Sequence, residues 1–474
     1  MKRAPTVSGL HKVESMKDQR FSKQHSTVLN RLARYMSSAM GKPLPARVLE
    51  ATKHHLLDSL ASMVSGAELL PGRMAIKYAK AQGGRADACV AGTRILTSLE
   101  LAAMTNGMLA HADETDDAHG SSLTHPGCAV VPAALAMGER EGCGGGALLR
   151  AVALGYDVCA RLGMSLNPYE FRADGHSPSS FGPTFGAAAA AGALAGLGLE
   201  EMRYLLSYSA QQASGISCWM RDEEHIEKAF DFGGMPARNG VAAAAMVSAG
   251  FTGVEDVFSG ERNFFLAYGR KPQPELLIKG LGKTYEIVNT NIKRWSAGSP
   301  IAPALDSLFE IIKENNFKWK DVGNVLIKVS HQGANTVGDR IIPDICMEHM
   351  CALMLADSNV TFASSHDKRR VGDPIIAELR KRIRCVGDDA LERVLPSRQA
   401  IVILTLKNGL CLENRTVHVR GTPSNPMSRE DVDAKSFDLL APVLGQRRAR
   451  KLCDVVWRFE EINNVREIRK YLMI

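Results

Sequence analysis

Aromatic residues are scarce, at 6% of 474 positions, and the ten cysteines form no CxxC pair. Scattered cysteines of this kind argue against a disulfide framework and against zinc ribbons, and they suit a reducing, cytoplasmic setting. Long hydrophobic runs are also missing. The longest apolar stretch, Gly182 to Leu199, is mostly alanine and glycine. Those residues gain too little from lipid to span a bilayer, so no membrane helix is expected. Charge of one sign is not in large excess: 58 Lys+Arg stand against 51 Asp+Glu, for a net +7. No basic, aromatic-interleaved stripe accompanies it, which speaks against a nucleic-acid partner and is compatible with a small anionic substrate. The first residues include Lys2, Arg3, Lys12, Lys17, Arg20 and Lys23, but no apolar run follows and Glu14 and Asp18 interrupt them. That pattern predicts a solvated tail over 1–26 and no signal peptide. Arg447, Arg448, Arg450 and Lys451 read as a helix surface.

What is present is helix. From about residue 27 to 283, apolar residues recur at helical spacing in Val28 to Met36, Ala46 to Met63, Ser98 to Ala110 and Ala147 to Leu162. Two runs are made of small residues, Gly186 to Gly196 and Gly240 to Met246, and predict central helices whose backbones pack closely. Gly142 to Gly146 lacks the lysine and hydroxyl residue of a phosphate loop. After residue 284 the chemistry changes. Val322 to Val329 alternates like a strand, and Asn408-Gly409 separates two strand-like runs as a hairpin turn does. Helical segments are expected around 345–358 and 374–385. Ser428 and Asp431 form a capping-box pair that opens further helix. The predicted fold is mainly α: an all-helical domain over 27–283, completed by 426–474, with a smaller α+β lid inserted at 284–425.

The densest polar cluster runs from His111 to Gly127, where seven ionisable residues fall within fifteen positions. Three histidines interleaved with four acids between two helices point to a site. His176 precedes the alanine-rich helix, where the helix dipole favours a neutral imidazole. Lys228 and Arg238 precede the second small-residue helix, and Lys293 lies at the domain junction. An alternative reading takes Asp113 to Asp117 as a magnesium site of a helical diphosphate enzyme. Against it, no second acidic motif follows, and aromatics are too few for a carbocation pocket.

The run His111-x-x-Glu114-x-Asp116-Asp117, then His125-Pro126-Gly127 and Val130 to Ala136, resembles the MmgE/PrpD family. So do the His176 loop before the alanine helix and the run ending in Gly240-Val-Ala-Ala-Ala-Ala. The resemblance covers roughly residues 27 to 460. The family includes 2-methylcitrate dehydratase, cis-aconitate decarboxylase and iminodisuccinate epimerase. Its fold, by that resemblance, is a large helical domain with a smaller lid, usually as a homodimer, and its chemistry is gain or loss of a proton beside a carboxylate without metal or cofactor.

Carried over by position, the resemblance implies Glu114, His125, His176 and Lys228 as catalytic residues; beside them Asp117 is expected to orient the histidines and His349 to serve as a substitute acid or base. It implies Lys293 as the lysine that opens the lid motif, with the Lys228 alignment needing a one-residue gap; Lys293, Arg238, His111 and Trp295 are the expected substrate-binding residues. The chain departs from the family at four places: Trp295 replaces a tyrosine, Ala302 a histidine, His349 a tyrosine, and Ala118 a threonine or similar residue. The expected function is a dehydratase-type lyase acting on a small di- or tricarboxylate such as 2-methylcitrate. Decarboxylation, epimerisation and a non-catalytic family member are the alternatives.

Overall fold

The computed structural model describes residues 27–474. The expected 1–26 tail, with its basic residues, lies outside them. The protein is mainly α, with a smaller α+β part. Among the described residues no helix is long and apolar enough to cross a membrane.

Among the described residues, two large apolar cores lie in the helical part. The first joins the Ala46–Gly66 helix to Gly145–Ser165 and to the C-terminal helices Arg429–Leu444 and Gln446–Val456. The second joins a helix over 27–38 to Pro178–Leu194, Leu199–Gln212 and Met235–Ser248. Both small-residue runs are central helices, and Ala187 to Ala191 are each at most 1% exposed. The reason is steric. A Cβ on Gly186 would come within 2.5 Å of the Gly155 carbonyl oxygen, and one on Gly240 within 2.5 Å of Ala187 Cβ. Only small side chains let these helices cross so closely. Ser428 caps its helix as expected, accepting from the Asp431 N–H.

Among the described residues the sheets comprise six strands: β1 (Ala88–Cys89), β2 (Leu96–Thr97), β3 (Val322–Val329), β4 (Ile383–Gly387), β5 (Ala400–Leu406) and β6 (Cys411–Thr416). The first two pair with each other, and the rest form the lid sheet in the order β4-β3-β5-β6. β3 and β5 are antiparallel with Val325 opposite Leu404, and β5–β6 is the hairpin expected around Asn408-Gly409. Its glycine has φ +88°, a left-handed conformation that glycine adopts without strain. Alternate residues of β5 are buried against the Ala302–Glu314 and Met347–Asp357 helices.

One element differs from expectation. The helix predicted over 374–385 ends at Arg380, and Ile383–Gly387 is β4, parallel to β3 with Ile383 opposite Val325. Ile375, Ile376, Leu379 and Ile383 fit a helical period, but an open edge of β3 captures the last of them. The boundary expected at 284 falls within a connecting stretch: Ile287 and Ile292 pack in the first helical core, and the lid's own core begins at Trp295.

One close crossing positions the site. A Cβ on Gly107 would lie 2.4 Å from the Gly233 carbonyl oxygen, and one on Gly233 would lie 2.1 Å from that of Gly107. The Gly233→Ala variant is therefore expected to lose about 1–3 kcal/mol of stability or more through overpacking. Urea unfolding measures it, and an unchanged midpoint would refute the assigned crossing.

Candidate active site

The loop after the Leu99–Ala110 helix carries His111 as the helix's C-cap and runs to Pro126, where the Gly127–Glu141 helix begins. Consecutive acids on this loop face different ways. Asp117 turns inward: its Oδ1 accepts from the Gly127 N–H (2.9 Å), and its Oδ2 contacts His55 Nδ1 (2.7 Å) and the Tyr156 hydroxyl (2.6 Å). It is a structural anchor that pins the start of the next helix. Gly127 is required there, since a Cβ would meet Ser59 Oγ at 2.6 Å and the Tyr156 hydroxyl at 2.7 Å.

Asp116 turns the other way and takes the orienting role expected of Asp117. Its Oδ2 is 2.9 Å from His111 Nδ1 and 3.2 Å from His125 Nδ1, and Lys293 Nζ is 3.7 Å from Oδ1. Burial alone would raise its pKa, but His111, His125 and Lys293 outweigh burial and hold its carboxyl well below the usual range. A carboxylate only accepts hydrogen bonds, so both imidazoles turn Nδ1–H toward it. The two rings are 5.0 Å apart. His111 is fully buried, whereas the His125 side chain is 15% exposed.

Glu114 lies beside this pair and binds both expected lysines. Lys228 Nζ donates to Oε1, and Lys293 Nζ donates to Oε2 (3.2 Å) and to the Glu114 carbonyl (2.9 Å). Burial opposes its ionisation, but Lys228 and Lys293 outweigh it and depress the Glu114 pKa strongly. Burial likewise pulls Lys293 down, and Glu114 and Asp116 more than reverse that.

Lys228 lies on the short Ile226–Ala229 helix, and a π-helical turn, Phe230–Gly234, follows it and leads into the Met235–Ser248 helix. A π-turn holds one extra residue relative to an α-helical turn. The same turn stacks Phe232 on His111 (4.4 Å, 21°) and sets it 5.2 Å from His125. Lys228 Nζ lies 5.2 Å from the Phe232 centroid and 5.3 Å from that of Trp219.

Other expected residues stand apart from this group. His176 stacks on Phe171 (4.4 Å) and edges onto Phe181 and Tyr268. Arg238 donates to Asn239 and lies over Phe230. Trp295 is buried in the lid core, its indole N–H donating to Asp306 (2.8 Å), so it is a packing residue here and not a substrate contact. His349 is buried in the lid, and its pKa is pushed down to about 4, by burial first and then by Arg380 and Arg370.

The sequence reading missed four groups. His366, from the lid, forms an ion pair with Asp113 at 3.0 Å. Burial would lower its pKa, but Asp113 and then Asp344 raise it to about 9. His225 lies 5.3 Å from His111, ring to ring, and Asp344 faces His366, Glu114 and Asp113. Both histidines sit in mixed-charge runs, Arg221 to Lys228 and Ser364 to Arg370, that read as solvated surface. Lys435, from the Arg429–Leu444 helix, holds the loop from below through Asp58 (2.5 Å) and the Thr115 carbonyl (2.9 Å).

Every carboxylate from Asp113 to Asp117 thus has a protein cation, imidazole or backbone donor as partner. For a divalent metal, His111, Glu114 and His225 offer ligand atoms within 4.8 Å of one another, as do His111, Asp116 and Cys128. In both sets at least one member is already engaged by a charged partner.

Residues 30–277 match the MmgE/PrpD N-terminal domain, and residues 295–461 match the MmgE/PrpD C-terminal domain. Among characterised relatives, the cis-aconitate decarboxylase-like protein oryM of Aspergillus oryzae is 27% identical over 292 residues. That alignment covers 57% of this chain and 59% of the relative, so the chain spans about three fifths of that protein. The cis-aconitate decarboxylase of Aspergillus terreus (strain NIH 2624) is 22% identical over 95% of this chain and 97% of its own length. The human cis-aconitate decarboxylase is 24% identical over 89% of each. With both domains matched in order over most of its length, the chain belongs to the MmgE/PrpD family.

Proposed function

We propose that the protein is a carboxylate lyase acting on a small di- or tricarboxylate, with its own side chains as the acid–base and charge-stabilising groups. The observation that carries this reading is the pairing of Asp116 with His125 beside two lysines on Glu114. His125 turns Nδ1 to Asp116, which leaves Nε2 to exchange a proton with a carbon next to a substrate carboxylate. When that carbon loses its proton, charge moves onto the neighbouring carboxylate. Lys228 and Lys293 are fixed where they stabilise it. Dehydration then completes when the hydroxyl on the adjacent carbon takes up a proton and leaves as water. Decarboxylation uses the same groups in the opposite sense: the bond from carbon to a carboxylate breaks, carbon dioxide leaves, the electron pair stays on carbon, and protonated His125 returns a proton to it. The names of the relatives favour decarboxylation of a cis-aconitate-type acid, and the family resemblance equally accommodates dehydration of a 2-methylcitrate-type acid.

The test is proton NMR in D₂O with cis-aconitate, 2-methylcitrate, citrate and iminodisuccinate. Turnover of the first identifies a decarboxylase, and turnover of the second a dehydratase. Exchange or turnover with none of them would sink the reading. On the substrate that reacts, His125→Ala is expected to lower kcat by about 10²–10⁴. A near-wild-type kcat would remove His125 from the mechanism.

The ion pair between His366 and Asp113 ties the lid to the catalytic loop and sets a pH dependence. The pKa of His366 is raised in the folded state, from 6.5 to about 9. Its stabilising contribution is therefore full below about pH 6.5 and lost as pH rises through 9. His366→Gln should cost roughly 2–3 kcal/mol at pH 6 and converge on wild type above pH 9. Urea midpoints across pH 6–10 measure it, and a constant difference would contradict the assigned ion pair.

A further inference from the structure

Two buried ring nitrogens in this site have no partner in the protein. His111 Nε2 and His225 Nε2 both lack a hydrogen bond, in residues only 0% and 9% exposed. One ring nitrogen of each and a Glu114 oxygen lie within 4.8 Å of one another. Buried polar atoms without a partner are rare enough to call for a ligand, an ion or an ordered water.

Charge decides which. His111 gives its Nδ1–H to Asp116, and burial keeps the ring neutral, so its Nε2 presents a bare lone pair. An anionic oxygen brought to that lone pair is repelled. A divalent cation fares no better, because both Glu114 oxygens are already taken by lysine ammoniums that would face it. What fits is a neutral group that donates to one imidazole and accepts from the other. A hydroxyl has that chemistry and that size: one oxygen with two bonds of about 2.8 Å spans atoms about 4.6 Å apart.

The backbone supports a placed role for His225. Its φ is +62°, a left-handed conformation unusual outside glycine. It is held there because its carbonyl accepts from the Ala229 N–H at the start of the Ile226–Ala229 turn. Such strain persists where the surroundings over-determine it, commonly at ligand sites.

We propose that His111 and His225 form a hydroxyl-binding subsite, so that the site prefers a hydroxy-carboxylate and His225 is a specificity-determining residue. This rests on the carboxylate reading above. It also favours loss of water over loss of carbon dioxide, since only the former reaction begins from a hydroxyl-bearing acid by necessity.

Citrate and tricarballylate differ only by the hydroxyl and need no turnover, so calorimetric binding of this pair to the full chain is the test. Wild type is expected to bind citrate about tenfold or more tightly than tricarballylate. His225→Phe should cut that preference to about twofold or less, and His225→Gln, which keeps a donor and an acceptor, should restore part of it. Nitrogen-15 spectra of the histidines should show His111 Nε2 without a proton and His225 Nε2 with one. Equal affinities in wild type, a citrate preference that survives His225→Phe, or two unprotonated Nε2 atoms would each overturn the subsite while leaving the carboxylate reading standing. Failure of both acids to bind wild type would overturn both readings. A Co²⁺ visible band that disappears in His225→Phe would overturn the subsite in favour of a metal site.

Discussion

A carboxylate cannot stay ionised in a protein interior without compensating charge, and Glu114 is buried. Its two partners come from distant parts of the chain: Lys228 from the π-turn region and Lys293 from the junction leading into the lid. Removing either would leave an uncompensated buried charge, so three segments are held in register by one electrostatic requirement. Asp116 repeats the arrangement one step away with two imidazoles. This charged cluster is therefore assembled by the need to neutralise acids inside the fold.

Close packing makes this arrangement possible. The helices that carry the charged loop and the π-turn touch backbone to backbone at Gly107 and Gly233, and the central helices do so at Gly155, Gly186 and Gly240. Larger side chains would push the two sides of the site apart by ångströms, which is enough to break the contacts at Glu114. The π-turn then aims Phe232 at His111 and fixes ring orientations that hydrogen bonds alone would leave free to rotate.

Much of this was legible beforehand. Helical periodicity located the helical domain, and alternating chemistry with the Asn408-Gly409 turn located the β5–β6 hairpin. Composition pointed to the small-residue central helices, and the acid-and-histidine run marked the loop on which the buried charges gather. Local pattern failed where a short segment fits two periods, as at Ile383, and where adjacent acids look alike, as at Asp116 and Asp117. It failed too for Trp295, whose position in the motif suggested a ligand contact but whose indole is spent on Asp306 and the lid core. His225 and His366 lie in charged runs whose usual fate is solvent, so nothing local separated them from surface residues.

By itself the sequence determined the family, the mainly helical class, the loop that carries the acids and the identity of the two lysines. These follow from periodicity, residue size and motif spacing, all of which are local along the chain. Tertiary structure alone decided which acid of each pair faces inward, which histidines meet, and that the lid closes onto Asp113 through His366. Those outcomes depend on which cation or ring approaches from a distant segment. A buried charge selects its partner by proximity in space, and spacing along the chain does not encode that proximity.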